Sequence, residues 1–248
     1  MRYLIISDIH SNLGALDAVL DSGDAAGYDR LVVLGDLVGY GAQPNDVVER
    51  LRALEPFAII RGNHDKVACG LDDSENFNPV AQESASWTYG ALTEENRAYL
   101  AGCPRGPLEV EPGVQICHGS PDDEDAYITS EAGARHILER MQAGVCFYGH
   151  THIPVVFRLS VQGFDWVGSI EDEAVNEMVL EPGTRYLINP GSVGQPRDGD
   201  ARAAFAVFDA ERRTVTRYRV AYAVEEAQAR IIAAGLPPAL ARRLALGR

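Results

Sequence analysis

The chain opens on a short apolar run, Tyr3 to Ser7, with no alternation, which predicts a central strand covered on both faces. It ends in a polar turn, Asp8-Ile9-His10-Ser11-Asn12. Leu13, Leu16, Val19 and Leu20 then recur at helical spacing, with Asn12 as N-cap and Gly27 as stop. Leu31 to Leu34 predicts a second strand, ending in GDLVGYG. Pro44 opens a helix to Leu54 with Val47, Val48, Leu51 and Leu54 on one face. A third strand, Phe57 to Ile60, ends in RGNHD. This β-α-β-α-β order implies parallel strands joined by right-handed crossovers.

Residues 67–105 lack strand character. Pro79–Leu92 and Thr93–Leu100 read as helices, a helical insertion expected to cap the strand ends. Val114–Cys117 is a strand ending in HGSP. The acidic loop DDEDAY follows, then a helix over Glu131–Gln142 capped by Ser130, and a strand, Val145–Tyr148, ending in GHTH. After Pro154 the pattern changes. Val155–Leu159, Glu173–Leu180, Arg185–Ile188, Ala203–Phe208 and Thr214–Tyr222 read as short strands of a second, largely antiparallel sheet. Two short helices, Val224–Ala234 and Pro237–Leu246, close the chain as docked core or a dimer contact. With no repeat and no linker, residues 1–248 read as one domain in which 224–248 are C-terminal helices.

A net charge of −14 argues against broad binding to nucleic acid or an anionic membrane. It leaves room for a small phosphorylated substrate, because bound cations invert the local field. The four cysteines, Cys69, Cys103, Cys117 and Cys146, show no pairing pattern and suit a reducing cytoplasm. No apolar run approaches the roughly 20 residues needed to span a bilayer, so a cytoplasmic protein is expected, with a homo-oligomer left open.

The chemistry gathers at the strand ends: Asp8 and His10, Asp36, Asn63 and His64, His118, and His150 with His152. Of the six histidines, only His136 lies elsewhere, on a helix surface. Asp-x-His alone is as compatible with a turn as with a ligand pair. In open α/β sheets, however, ligand sites form outside the carboxyl ends of the strands. More donors stand at this one rim than a single ion needs, which suggests two ions sharing a bridge. Imidazole mixed with carboxylate and amide oxygen, without thiolate, favours Mn, Fe, Co, Ni or Zn over Ca or Mg.

These motifs, in this order, resemble the calcineurin-like metallophosphoesterases: DIH at Asp8–His10, GDLVGYG at Gly35–Gly41, GNHD at Gly62–Asp65, HG at His118–Gly119 and GHTH at Gly149–His152. The run Asn189–Arg197, NPGSVGQPR, is similar to one in the small prokaryotic phosphodiesterase branch. The resemblance implies an α/β fold, a four-layer αββα sandwich of two mixed sheets flanked by helices, with the metals at the carboxyl ends of the strands. It implies that Asp8, His10 and His152 hold one divalent ion, that Asn63, His118 and His150 hold a second, and that Asp36 bridges them. Manganese comes first, with Fe, Zn, Ni or Co as alternatives. His64 is the implied general acid; an imidazole beside two cations is suited to protonating a leaving oxygen.

The implied reaction is hydrolysis of phosphodiester or phosphomonoester bonds of small substrates by direct attack of a metal-bridging hydroxide. Nucleotidyl pyrophosphatase and protein phosphatase are the enzymatic alternatives, and a silent binding scaffold of the same fold the non-enzymatic one. The protein Ser/Thr phosphatase branch carries GD-x-x-D-R-G, whose second acid is here Gly39 and whose arginine is Tyr40. This departure disfavours protein phosphatase activity and leaves open what orients His64. Arg61, Arg197 and Ser192 are candidate substrate contacts, since a guanidinium forks onto two phosphate oxygens. Surface ion pairs are the alternative for the two arginines; Gly191 and Ser192 let backbone approach the metal floor, with a plain tight turn as the rival. The acidic Asp122–Asp125 run reads as a solvated loop.

Overall fold

A computed structural model describes residues 1–168 and 175–248. Strands β1 (Arg2–Ile6), β2 (Arg30–Val33) and β3 (Ala58–Ile59) alternate with helices α1 (Leu13–Ala26) and α2 (Pro44–Leu54). Helices α3 (Asn63–Cys69), α4 (Pro79–Ala91) and α5 (Glu94–Gly102) follow. Then come β4 (Leu108–Glu111), β5 (Val114–Ile116), α6 (Glu131–Arg140), β6 (Val145–Phe147), β7 (Val155–Ser160), β8 (Gly163–Val167) and β9 (Val175–Val179). The chain closes with β10 (Arg185–Asn189), β11 (Ala203–Asp209), β12 (Thr214–Val220), α7 (Val224–Ala233) and α8 (Pro238–Leu246).

Two six-stranded mixed sheets result, in the orders β3-β2-β1-β11-β12-β9 and β4-β5-β6-β10-β7-β8. In each, a parallel half (β3-β2-β1 and β5-β6-β10) abuts an antiparallel half. Alternate residues of β1 divide between two cores. Tyr3 and Ile5 meet Phe147, Tyr186, Ile188 and Phe208 between the sheets. Leu4 and Ile6 meet Leu16, Val19, Val48 and Leu51 of α1 and α2. On the outer face of the second sheet, Cys146, Tyr148 and Leu187 pack on Ala134 and Leu138 of α6. This is the four-layer αββα sandwich, and its central strands β1, β6 and β11 are almost wholly apolar because both of their faces are buried. Asn12 caps α1 by accepting from Ala15 N at 3.2 Å, and Ser130 caps α6.

The expectation of a separate antiparallel sheet after Pro154 is corrected. β9, β11 and β12 join the first sheet through β1, with Tyr3 opposite Phe208. β7, β8 and β10 join the second through β6. Side-chain period reveals a strand and its faces but carries no information about its neighbour. Three elements had no sequence expectation. α3 is seven residues long and begins on the GNHD turn; β4 carries Glu109 and Glu111; β8 is mostly solvent-facing. Glu173 and Ala174, the start of one expected strand, lie outside the described residues. The four cysteines are free.

Candidate metal centre

The strand ends do not simply stop at the rim; they turn there in left-handed backbone. Asp8, His10, Asp36, His150 and His152 all have positive φ, between 49° and 66°. Such conformations cost of order 1–3 kcal/mol each and persist where the surroundings dictate them. Here the loops hold one another. Asp36 O accepts from Ile9 N (2.8 Å) and His10 N (3.0 Å), and Asp8 O accepts from Gly194 N (2.9 Å). The Asp8 carboxylate accepts from His150 N at 3.0 Å and that of Asp36 from His64 N at 2.9 Å. Gly62 admits this closeness: a Cβ there would stand 2.1 Å from Asp36 Oδ1.

Two ligand clusters result, and they share one residue. Asp8, His10, Asp36 and His152 bring one ligand atom each to within 4.8 Å of one another; Asp36, His118 and His150 do the same. Asn63 Oδ1 adjoins the second cluster, 3.2 Å from His118 Nε2. The structure thus brings all seven expected donors together, buried, with Asp36 common to both groups.

The donor chemistry fits divalent cations. His10, His118 and His152 each direct Nδ1 at a main-chain carbonyl (Val38 at 3.1 Å, Leu34 at 2.8 Å, Gln195 at 2.6 Å). A carbonyl can only accept, so Nδ1 carries a proton and Nε2 is the atom turned inward, the arrangement that outer partners impose on metal-binding imidazoles. His10 Nε2 and His152 Nε2 face each other at 3.1 Å, and His10 Nε2 and His118 Nε2 lie 3.5 and 3.4 Å from Asp36 Oδ2. Lone pairs at that range repel unless a cation or proton sits among them. Burial opposes ionisation of Asp36, but its neighbours, His118 foremost, outweigh it and hold the carboxyl well below its usual range, while Asp36 in turn overcomes burial at His118 and lifts that imidazole to about 10. Burial drives His10 and His152 well below the ordinary imidazole value, which keeps them neutral and able to donate electron pairs.

His64 belongs to neither cluster. Its ring packs 4.3 Å from Tyr40, 4.6 Å from Phe77 and edge-on to His10 at 5.0 Å, centroid to centroid. Its Nδ1 is buried without a hydrogen-bond partner. At Gly39, φ is +91° and a Cβ would stand 2.6 Å from that Nδ1. Rings on its sides and a glycine beneath it, not a carboxylate, therefore orient His64. Burial lowers its pKa to about 4, against the pull of Asp36. Neighbouring Asp65 serves the backbone, accepting from Gly62 N at 2.9 Å and Val38 N at 3.1 Å. A cavity of about 200 Å³ opens above the rim, lined by Tyr40, Asn63, His64, Phe77, Tyr127 and His150 among others.

The candidate substrate contacts fare unequally. Arg61 forks onto Glu124 through Nε and Nη2, both at 3.2 Å, so its charge is already engaged. Ser192 is fully buried; its hydroxyl donates to Asp8 O and accepts from Gln195 N, both at 2.8 Å, and so props the floor instead of facing substrate. Arg197 reaches the rim, donating to Gln195 Oε1 at 3.2 Å and standing over Tyr40. The acidic run is no free loop: Glu124 pairs with Arg61 and Lys66, and Asp125 O lies 3.1 Å from His150 Nε2. Tyr127, stacked on His150 at 3.7 Å, drew no attention in the sequence, where one tyrosine after an acidic run carries no signal. His136 is exposed on α6, as expected.

An αββα sandwich that gathers imidazoles, carboxylates and an amide at the carboxyl ends of its strands defines the class as a metallohydrolase. More particularly, the chain belongs to the calcineurin-like phosphoesterase superfamily, whose domain matches residues 1–213, and it is a phosphoric ester hydrolase. It is similar to the crystal structure of a metallophosphoesterase from Sphaerobacter thermophilus, at 39% identity and a TM-score of 0.87, covering 100% of this chain and 99% of that one. It is 34% identical to the uncharacterized protein MJ0912 of Methanocaldococcus jannaschii over 98% of this chain and 97% of that protein. It is 26% identical to phosphodiesterase YfcE of Escherichia coli, over 84% and 88% of the two chains. Among the described residues no helix is long and apolar enough to cross a membrane.

Proposed function

We propose that the chain is a dinuclear metal-dependent phosphoesterase acting on phosphodiester or phosphomonoester bonds of small substrates. Asp8, His10 and His152 hold one ion, and Asn63, His118 and His150 the other. Asp36 serves both, and the observation that carries this reading is its membership of both ligand clusters. Divalent cations, manganese foremost, supply Lewis acidity to the phosphoryl oxygens and an activated water at neutral pH. The protein's own part is to hold the donors rigid, to exclude bulk water from a buried floor, and to deliver a proton. His64 lines the cavity with its Nδ1 enclosed, which leaves Nε2 for the leaving oxygen. Burial keeps the free imidazole neutral, and an arriving anionic ester raises its proton affinity. The acidic surface supports a small substrate over a nucleic-acid polymer, and similarity to a phosphodiesterase supports the diester arm. Residues 1–248 act as one unit with helices over 67–105 walling the cavity, and four free cysteines suit the cytoplasm.

The test is hydrolysis of bis-p-nitrophenyl phosphate with metal content measured on the same sample. EDTA abolishes turnover and Mn restores it, with two ions per chain; turnover that persists without metal overturns the proposal.

A further inference from the structure

The matched domain ends at residue 213, yet the two helices beyond it pack onto the rim. Ile231, Leu236, Leu240, Ala241 and Leu244 of α7, α8 and their connection bury against Tyr40. This docking seats Arg243 with its guanidinium carbon 5.6 Å from the Tyr40 ring centroid; that of Arg197 lies 5.8 Å from the same centroid. Tyr40 in turn packs on His64 and His10 and lines the cavity. Two guanidiniums therefore converge on one ring at the edge of the metal centre.

Neither has a carboxylate side chain as partner among the described residues. Arg197 donates to Gln195 Oε1 at 3.2 Å and to the Tyr40 hydroxyl at 3.5 Å, and its Nε is buried without a partner. Arg243 Nε donates to the main-chain oxygen of Arg248 at 2.7 Å. The chain has 36 acidic side chains against 22 Lys and Arg. Other cations near the rim are neutralised: Arg61 by Glu124, Lys66 by Asp125, and Arg219 by Asp198. Burial and the Arg197 charge both work against the charge on Arg243, with Tyr40 and Tyr127 pulling the other way. Like charges held together in a protein rich in carboxylates form a receptor for an anion, and guanidinium forks match phosphate oxygens.

Resting on the phosphoesterase reading above, we propose that Arg243 and Arg197 form a clamp for dianionic phosphate. The C-terminal helices thereby select esters with a charge beyond that of a simple diester. That charge has two sources, the second charge of a scissile monoester or a separate phosphate elsewhere on a diester.

The experiment uses the full chain loaded with Mn and four substrates. These are bis-p-nitrophenyl phosphate, p-nitrophenyl phosphate, and thymidine 5′-(p-nitrophenyl phosphate) with and without a 3′-phosphate. Arg243→Met raises KM about tenfold for whichever substrate carries the extra charge, by a smaller factor for bis-p-nitrophenyl phosphate, and lowers kcat less than it raises KM. Arg243→Lys falls between the two. A rise with p-nitrophenyl phosphate assigns the clamp to the scissile group, and a rise confined to the 3′-phosphorylated diester assigns it to a second phosphate. Calorimetric binding of inorganic phosphate weakens in parallel. Arg197→Met repeats the pattern if Arg243→Met folds poorly, which thermal melts and metal content reveal. Equal KM changes on all substrates, or unchanged phosphate binding, overturn the clamp while leaving the phosphoesterase reading intact. Wild-type protein without bound metal or turnover defeats that reading instead.

Discussion

The floor and the mouth of the site are built on opposite principles. The floor comes from strand ends. Its donors are at most 9% exposed, and its loops are locked to one another by main-chain hydrogen bonds. The mouth comes from Tyr40, Phe77 and Tyr127, with Arg197 and the C-terminal helix residue Arg243 standing over the Tyr40 ring. Tyr127 is 55% exposed. A floor must hold cations against their own hydration, so it needs many donors with no freedom. A mouth must admit and release a substrate, so it uses rings and guanidiniums whose contacts are few and exchangeable. The chemistry is thus set by the part of the molecule that cannot vary without losing metal, and selection by the part that can.

Four substitutions probe this contrast. The largest effect belongs to the floor. Asp36→Asn weakens metal at both positions together, and activity falls by more than the roughly 100-fold that loss of an outer partner costs; one fully occupied site in metal analysis would argue against a shared ligand. Next comes His64→Ala, at the boundary. It retains two ions per chain but loses about 10²–10⁴ in kcat on poor leaving groups, with little loss on good ones; loss of metal would make His64 part of the floor.

Gly39→Ala tests packing as the device that orients His64. The new Cβ collides with the imidazole, and at positive φ the backbone resists as well. A roughly tenfold fall in kcat with metal content unchanged is expected; wild-type kcat would show that the ring orientation is set elsewhere. The smallest effect lies behind the floor. Burial opposes the charge of Glu124, but Arg61 and Lys66 outweigh it and depress the carboxyl. That stabilisation is present above the ordinary carboxylate range and is lost as pH falls through the depressed pKa. Glu124→Gln therefore lowers stability by roughly 1 kcal/mol near pH 7, and urea midpoints of variant and wild type converge toward pH 3. A gap that persists in acid would rule out the ion pair as its origin.

Legibility divided along the same line. Asp8-x-His10, GNHD and GHTH stand at the ends of apolar runs, and a strand end is a place that local sequence specifies. For Arg61 and Arg197 the sequence offered a phosphate contact or an ion pair; Glu124, distant in sequence from Arg61, is the partner that Arg61 takes. For Ser192 the sequence could not show that its hydroxyl bonds Asp8 O and Gln195 N. Tyr127 and Arg243 carried no motif at all.

By itself the sequence determined the strands other than β4 and β8, the helices of the first half other than α3, the donors and the order in which they reach the rim. Each depends on neighbours within a few residues: apolar period, caps, and polar residues placed directly after a strand. Only the tertiary structure decided which sheet each late strand joins, which charges are already paired, and that α8 brings an arginine over Tyr40. Those outcomes depend on contacts between residues far apart in the chain, and a side chain's period records which face it occupies but not what lies across from it.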